Sequence, residues 1–416
     1  MKQQLRKQQF KSLLLAVLTF VPLAASAQVE INETNFPDEN FRNYLLDQDY
    51  GKDGKLTEDE IKSVTYINVF EKNISSLKGI EHFTALIKLS CGRNQLTALD
   101  VSKNTALDYL ECGYNQLTAL DVSKNTVLRH LECQENQLTT LDGTRSTALQ
   151  WLWCFVNQLT VLDVSNNTAL ENLECGNNQL TTLDVSKSMA LENLGCAGNL
   201  LTTLDVSKNT ALERLMCDNN QLTTLDVSKN TALLDLGCSY NQLTTLDISK
   251  NMALGTLACG GNQLTALDLT RNTALGMLWC NNNQLTALDL SKNQLLGYLE
   301  CYGNMIKGGA MDSLIDDLPL INGLVVIYST GKNEGNVCTK SQVAAAKKKG
   351  WLVWYYDVET GWTYEYEGSD PTGIVLPTTE AEDANTPIYD LSGKRVNNLQ
   401  GKKGVYIIGG KKVLVK

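Results

Sequence analysis

Hydrophobic positions in the middle of the chain recur at a fixed interval of 21 residues. Each interval holds a segment close to A-L-x-x-L-x-C-x-x-N-Q-L-T-x-L-D-V-S-K-N-T. Such self-similarity predicts stacked repeats, because one repeat alone cannot bury its apolar side chains. Eleven of the twelve cysteines mark the interval, namely Cys91, Cys112, Cys133, Cys154, Cys175, Cys196, Cys217, Cys238, Cys259, Cys280 and Cys301.

Within each repeat, the L-x-C segment alternates apolar and polar residues and predicts a short β-strand. In one repeat, Leu110 and Cys112 face inward while Glu111 faces outward. Stacked repeats place these strands in parallel, about 4.8 Å apart and hydrogen-bonded to both neighbours. The absence of proline between Pro37 and Pro319 suits this uninterrupted ladder of amides. The interior of the same repeat is completed by Leu107, Leu117, Leu120 and Val122.

This pattern resembles the leucine-rich repeat family, whose repeats carry leucines and an asparagine at the same offsets. Cysteine replaces the third leucine here, and the resemblance covers residues 64 to 304. It implies an α+β repeat fold, a right-handed leucine-rich repeat solenoid with a parallel β-sheet on its concave face. A degenerate first coil precedes the regular ones, with Val64, Ile67, Val69 and Asn73.

Three polar or reactive columns of the repeat have structural interpretations. The asparagine column from Asn94 to Asn304 is expected to bond backbone groups of its own and adjacent coils. The aspartate column from Asp100 to Asp289 fits turn caps better than a cation-binding stripe, since Lys or Arg follows three residues later in most coils. The cysteines are expected to be buried free thiols, because parallel side chains oppose the disulfide dihedral.

The formal net charge of the chain is −10, which argues against nucleic acid and anionic membranes as partners. His82 and His130 are its only histidines, so few places could supply a histidine base. Both observations favour a binding protein over an enzyme, and we predict no catalytic residues.

The N-terminus has the layout of a secretory signal. Four basic residues lie within the first eleven positions, followed by an apolar run to Ala25 and a small-residue cleavage site at Ala27. A membrane anchor fits less well, because Pro22 interrupts the run and no later segment is long enough to span a bilayer. We therefore expect an exported protein without a transmembrane segment.

A loop before the repeats resembles an EF-hand calcium loop, with Gly54 at its sharp turn. Gly51 stands where a further carboxylate or amide ligand is expected. The T-x-x-E motif at its end also forms a capping box for the next helix, which needs no metal. Both interpretations stay open. The resemblance implies calcium ligands at Asp49, Asp53, the Lys55 carbonyl, Thr57 and Glu60.

After the last coil, the pattern predicts an α/β cap. A helix over Met311 to Leu318 and a strand over Leu324 to Tyr328 come first, and a second helix ends at Gly350. Two aromatic strands follow, whose side chains are expected to form the core of the cap itself.

The last segment predicts three short strands joined by glycine-rich turns. Its Tyr389-Asp-Leu-Ser-Gly-Lys and Gly404-Val-Tyr-Ile-Ile sequences resemble the C-terminal sorting domains of Bacteroidetes proteins exported by the type IX route. The resemblance implies passage across the outer membrane, to the surface or the medium. The predicted segments are a signal peptide (1–27), an N-terminal cap with the EF-hand-like loop (28–63), repeats (64–304), an α/β cap (305–370), a linker (371–387) and the sorting-type β domain (388–416).

The residues that change from repeat to repeat flank the Leu and Cys of each strand and line the concave face. Several are aromatic, although a solvated sheet face has no folding reason to carry tryptophan. The predicted partner-binding residues are Tyr109, Glu111, Tyr114, His130, Glu132, Trp151, Trp153, Phe155, Trp279, Tyr298 and Tyr302.

Two classes of function follow from this face. A protein-binding scaffold for adhesion or host interaction would use the aromatic and acidic residues as an interface. A glycan-binding module would stack the same rings on sugars, with Glu111 and Glu132 accepting hydrogen bonds from hydroxyl groups. The alternative to both is that scattered aromatic residues are tolerated on the surface or covered by another part of the protein.

Overall fold

The computed structural model describes residues 28–370 and the short segments 374–375, 388–392, 394–396, 404–408 and 411–415. The predicted signal peptide and most of the predicted linker lie outside the described residues. None of the helices in these ranges has the length and apolar character needed to cross a membrane.

The N-terminal cap contains a strand pair and two helices. Strand β1 (Val29–Glu30) pairs antiparallel with β2 (Lys55–Leu56), and the helices are α1 (Glu39–Asp47) and α2 (Glu58–Ser63). The cap buries Phe36, Phe41 and Leu45 against the first coil. The Tyr44 hydroxyl accepts a hydrogen bond from the Asn68 amide at the sheet edge. The helical cap therefore covers both the apolar end and an edge amide.

Each repeat contributes one three-residue strand to a single sheet, in which neighbours follow chain order. Consecutive strands pair in parallel and in register, so equivalent residues of successive coils lie side by side. The strands are β3 (Tyr66–Asn68), β4 (Lys88–Ser90), β5 (Tyr109–Glu111), β6 (His130–Glu132), β7 (Trp151–Trp153), β8 (Asn172–Glu174), β9 (Asn193–Gly195), β10 (Arg214–Met216), β11 (Asp235–Gly237), β12 (Thr256–Ala258), β13 (Met277–Trp279) and β14 (Tyr298–Glu300).

The core of the solenoid is a stack of identical apolar layers. In the coil of β5, both Leu110 and Cys112 are completely buried, as are Leu107 and Leu117. A one-turn 3₁₀ helix (Ile80–His82) precedes the regular coils. The chain is therefore a right-handed leucine-rich repeat solenoid with its parallel sheet on the concave face, as the sequence predicts.

The first asparagine column joins the coils where the chain leaves each strand. The Asn115 side-chain amide donates to the carbonyls of Cys112 in its own coil and Cys91 in the preceding one, both at 3.1 Å. Its oxygen accepts from the Leu96 amide at 2.9 Å. This arrangement continues to Asn304, which confirms the structural interpretation of the column.

A second asparagine column, for which the repeat pattern predicted no role, is fully buried. Asn125 donates to the carbonyls of Asn104 at 2.8 Å and Val101 at 3.2 Å. Serine replaces this asparagine at Ser146 and Ser188, where its hydroxyl donates to the preceding coil at 3.2 Å. Each coil therefore has two columns of buried polar side chains, and both columns hydrogen-bond to the adjacent coil.

The aspartate column caps turns on the side away from the strands. Asp121 accepts a hydrogen bond from the Ser123 amide at 2.8 Å. That hydrogen bond, with one from the Ser123 side chain and the charge of Lys124, lowers the pKa of Asp121. The turn-cap interpretation is confirmed.

The cysteine column is buried throughout, and all twelve thiols are free. Burial raises the pKa of each thiol, in the case of Cys154 to about 12. The cysteines therefore act as small apolar residues in the core, as predicted.

The C-terminal cap continues the sheet of the solenoid, which the sequence analysis did not foresee. Its elements are α3 (Gly309–Asp317), β15 (Leu324–Ser329), α4 (Lys340–Lys348), β16 (Leu352–Asp357) and β17 (Trp362–Glu365). Strands β15 and β16 extend the parallel ladder beyond β14, and β17 closes it antiparallel.

The aromatic residues of the C-terminal cap only partly form its core. Trp351 is buried, and Tyr328 stacks on Tyr366 at 5.0 Å between ring centroids. In contrast, the Trp362 side chain is 71% exposed. It lies on β17, the last strand of the sheet, so the expectation of a common aromatic core is wrong for this residue.

A separate five-stranded sheet forms near the C-terminus. Its order is β18 (Ile374–Val375), β22 (Lys411–Val415), β21 (Gly404–Ile408), β19 (Ile388–Asp390) and β20 (Arg395–Val396). Three strands were expected, and β18 lies within the predicted linker. It pairs in parallel with β22 at the edge of this sheet, and the division into linker and β domain stays a prediction.

In one coil, a single apolar core position is occupied by glycine. Gly143 stands where the neighbouring coils bury Val122 and Val164. A Cβ at Gly143 would have only open space around it, with the nearest atom 4.0 Å away. We expect Gly143→Val to raise the free energy of unfolding by about 1–2 kcal/mol through apolar burial and a stiffer unfolded chain. Urea unfolding followed by circular dichroism measures this change. The matched reverse variant, Val122→Gly, should lower stability, and a loss of stability in Gly143→Val would contradict the packing argument.

Thiol reactivity provides a second test of the fold. At about pH 8, near the ordinary thiol pKa, we expect the native chain to react with Ellman's reagent at none of its twelve cysteines. All twelve should react in concentrated guanidinium chloride. The exposed Thr182→Cys variant serves as a positive control and should add one fast-reacting thiol. Rapid labelling of the native parent chain would show that the cysteine column is not buried.

Candidate binding face

In-register pairing arranges the outward side chains of the sheet in two rows. The first row runs through Tyr109, His130 and Trp151. The second runs through Glu111, Glu132 and Trp153. Successive members of a row are one strand spacing apart, about 4.8 Å. Aromatic and acidic residues that are 21 positions apart in sequence therefore touch.

Three rings of the first row, which we call the aromatic ladder, stack on one another. The ring centroids of Tyr109 and His130 are 4.7 Å apart with 27° between their planes. Those of His130 and Trp151 are 5.4 Å apart with 14° between planes. Because these distances match the strand spacing, the rings stand upright on the sheet and cover each other's faces. This explains why they are half-buried rather than exposed.

Glu132 is held by the aromatic ladder. Its Oε1 accepts a hydrogen bond from the Tyr109 hydroxyl and lies 2.9 Å from Nε2 of His130, which therefore carries the proton. Burial alone would raise the pKa of Glu132, but the hydrogen bonds from His130 and Tyr109 outweigh it and lower the pKa. Burial, and then the charge of Glu132, raises the pKa of neighbouring Glu111 despite its hydrogen bond with Ser90.

Trp153 lies in the second row between two carboxylates. Its register neighbours are Glu132 on β6 and Glu174 on β8. The Glu174 carboxylate folds over Gly195, where a Cβ would come within 1.7 Å of Oε2. Burial raises the pKa of Glu174. Sequence reasoning missed Glu174 because its own coil carries no aromatic residue; the signal was its position 21 residues after Trp153.

Two of the protein's own cations lie over tyrosines near the start of the solenoid. Lys88 Nζ lies 4.1 Å from the ring centroid of Tyr109 and 5.5 Å from that of Tyr66. The guanidinium of Arg93 lies 4.5 Å from the ring of Tyr114. Tyr114 itself follows the strand in a left-handed conformation with a φ of 55°, so it borders the two rows. Lys88 and Arg93 were not foreseen as part of the face.

A second aromatic cluster lies at the other end of the solenoid. Trp279 and Tyr298 have centroids 5.1 Å apart, and the Tyr298 hydroxyl donates to Glu300. This cluster is six to seven strands from β7, about 29–34 Å at the usual strand spacing. The sequence-predicted residues therefore form two clusters rather than one.

Tyr302 was predicted to be an exposed binding residue, and this prediction is wrong. Its side chain is only 7% exposed and stacks on Tyr356 with centroids 5.1 Å apart and 13° between planes. The reason is tertiary, because β16 of the cap extends the sheet and brings Tyr356 over the last coil. Phe155 lies just beyond β7, half-buried beside the row.

The EF-hand-like loop is organised by its own hydrogen bonds. Asp49 pairs with Lys52, and Asp53 accepts from the Lys55 amide at 3.0 Å. Thr57 and Glu60 form a reciprocal capping box at the start of α2. In the described part of the chain, no group of three or more His, Cys, Asp or Glu side chains is arranged to hold a metal ion. Calcium binding here stays a prediction.

Calcium and capping make different predictions for Glu60. From the capping box, we expect Glu60→Ala to lower stability by about 0.5–1 kcal/mol, while Glu60→Gln, which can still cap, has little effect. If the loop is held by capping alone, calcium should leave the melting temperature of the parent chain unchanged, as measured by scanning calorimetry. A calcium-dependent rise in the parent chain that Glu60→Gln abolishes would contradict this expectation and establish the metal site.

Comparisons with known proteins give structural neighbours only. No family model matches the chain, and no curated protein matches it. The solved functional domain of InlJ from Listeria monocytogenes, which includes a cysteine ladder, is 26% identical, with a TM-score of 0.59 over 94% of this chain and 98% of that one.

Two further solved structures share the fold at lower identity. An internalin, inlF, from Listeria monocytogenes is 23% identical, with a TM-score of 0.68 over 79% of this chain and 98% of that one. The plant peptide hormone receptor RGFR1, solved with RGF2, is 19% identical, with a TM-score of 0.54 over 67% and 52%. The chain is thus similar to solenoids of bacterial leucine-rich repeat proteins.

Proposed function

We propose that this chain is an exported, extracellular or surface-bound scaffold that binds a protein partner through its concave face. The binding surface is the aromatic patch, which comprises Tyr109, His130, Trp151, Trp153 and Phe155. One observation carries the proposal. These rings stand together on a sheet face whose packing is already completed by the leucine and cysteine columns on the other side.

The geometry of the rings favours a protein over a glycan. Sugar recognition by stacking needs a free aromatic face, but in the aromatic ladder each ring covers the face of the next. What the ladder presents to solvent is ring edges beside carboxylates. Such a surface suits side chains of a protein, which pack between edges and bond to the flanking polar groups. A glycan partner is the alternative outcome of the test below.

Binding rather than catalysis is supported by the state of the carboxylates. Glu132 is hydrogen-bonded to His130 and Tyr109, and these bonds hold all three side chains in place. The patch is also on an open sheet face, and catalytic groups usually lie in a concave pocket that excludes water. We therefore propose no enzymatic activity for this face.

Export of the chain and the class of its partner are supported by different observations. The signal-like leader and the resemblance of the C-terminal strands to sorting domains both favour export. The receptor RGFR1 was solved with RGF2 bound. The likeness to it extends to the fold alone, and it supports the proposal only in that a solenoid of this kind can present a binding surface.

The double variant Trp151→Ala, Trp153→Ala tests this function. Screening against arrays of extracellular proteins and of glycans identifies a ligand of the parent chain, and biolayer interferometry measures its affinity. We expect the double variant to weaken that affinity by about 30-fold or more, since a buried aromatic anchor contributes at least about 2 kcal/mol.

The matched control is Trp362→Ala, which removes an exposed tryptophan from β17 and should leave affinity unchanged. Circular dichroism should show similar melting curves for all three proteins. Full binding by the double variant would refute the aromatic patch, and a ligand found only on the glycan array would replace the protein partner.

A further inference from the structure

The concave face pairs its own cations with aromatic rings near the start of the solenoid and leaves its tryptophans without one. Lys88 lies over Tyr109 and Tyr66 in the first row, and Arg93 lies over Tyr114. Within residues 28–370, no lysine or arginine of the chain makes such a contact with a tryptophan. Tryptophan is the aromatic side chain that attracts a cation most strongly, so Trp153, which lies outside the aromatic ladder, is the ring of the patch best suited to a cation from a partner.

Trp153 is flanked in register by two acidic residues. Glu132 and Glu174 are its direct neighbours in register, so the two strands that carry them are about 10 Å apart. The Glu132 carboxylate is turned towards His130 and Tyr109, and that of Glu174 lies over Gly195. A guanidinium on the indole would therefore meet Glu174 from the β8 side, at a hydrogen-bond distance of about 2.9 Å. A planar guanidinium can also stack on the ring while it bonds in its own plane to the carboxylates.

Glu174 lacks the partner that Glu132 has. No hydrogen bond from residues 28–370 reaches its carboxylate, and only the charge of Arg214 opposes the effect of burial on its pKa. Arg214 is itself directed to Asp235, 3.7 Å away on the next strand. An incoming cation would compensate a carboxylate that folding has left partly desolvated and unpaired.

Beyond Glu174 the second row itself is uncharged, and an acidic residue, Asp218, lies beside it. Glycines at Gly195 and Gly237 leave space that the side chains of Glu174, Met216 and Asp218 occupy. Burial raises the pKa of Asp218, although the Ser239 amide donates to it at 2.8 Å. The surface next to Trp153 therefore offers apolar contact and negative charge together, which complements a basic segment rather than an acidic or neutral one.

We propose that the protein partner inserts an arginine side chain onto Trp153 between Glu132 and Glu174, as part of a basic segment lying along the second row. This inference rests on the proposed function and adds the chemistry of the partner. The guanidinium stacks on the indole and donates to Glu174, while Glu132 stays bonded to the aromatic ladder and supplies charge on the other side.

Short peptides test the inference without a known partner. The probes are glycine-serine peptides carrying three arginines, the same peptides with citrulline, the neutral isostere of arginine, and versions with three glutamates. The full chain is labelled with ¹⁵N-tryptophan, and its indole N–H resonances are assigned with single Trp→Phe variants. We expect the arginine peptide to shift the Trp153 resonance saturably and to bind about threefold to tenfold more tightly than the citrulline peptide.

Two charge-neutralising variants test whether the charge of Glu174 itself contributes to binding. Glu174→Gln should weaken the arginine peptide about threefold to fivefold and leave the citrulline peptide unchanged. Glu192→Gln removes the same charge from an exposed position before β9 and should change neither. Equal affinities for arginine and citrulline peptides, or an unaltered affinity in Glu174→Gln, would overturn the inference.

These outcomes are distinct from failure of the proposed function. If neutral and arginine peptides both act at Trp153 with equal affinity, the face binds protein segments but does not select a cation. If no peptide shifts Trp153, the arginine inference is refuted, and the proposed function is judged by the ligand found in the arrays and its response to the double tryptophan variant.

Discussion

Every coil of this solenoid depends on backbone amides finding partners in the next coil. Strands of three residues are too short to be stable in isolation, so each is fixed by parallel pairing with its neighbours on both sides. The asparagine columns extend the same connection past the strand, since Asn115 bonds to carbonyls of two coils at once. A constant length of 21 residues lets each regular coil repeat these bonds with the next, whereas the first coil has 22 residues from β3 to β4 and holds the 3₁₀ helix.

The same register decides the chemistry of the concave face. It converts residues 21 positions apart into direct neighbours, so that His130 meets both Tyr109 and Trp151. The pKa values of two carboxylates in one row are then shifted in opposite directions. Hydrogen bonds from His130 and Tyr109 lower the pKa of Glu132, whereas burial without such a partner raises that of Glu174. The difference between the two carboxylates therefore lies in their neighbours, because Tyr109 on the adjacent strand and His130 on the same strand both bond to Glu132.

The two ends of the sheet are covered by different kinds of element. At the start, helix α1 and Tyr44 cover the first strand, while at the other end β15 and β16 lengthen the ladder and β17 closes it. This extension places Tyr356 over Tyr302 and removes that tyrosine from the binding face. The aromatic patch, on β5 to β7, lies towards the other end of the sheet from this extension, and its rings stay half-buried rather than covered.

The sequence by itself determined the repeat, the inward columns and the rows that face outward, because a period of 21 residues and strict alternation leave one way to bury leucine and cysteine. It also indicated Tyr109, His130, Trp151 and Trp153 as neighbours. Only the tertiary structure decided which of these rings stack, that Glu174 stands unpaired beside Trp153, and that Tyr302 is covered. Those outcomes depend on side chains meeting across coils and on how the cap joins the sheet, and neither is encoded in the pattern of any single repeat.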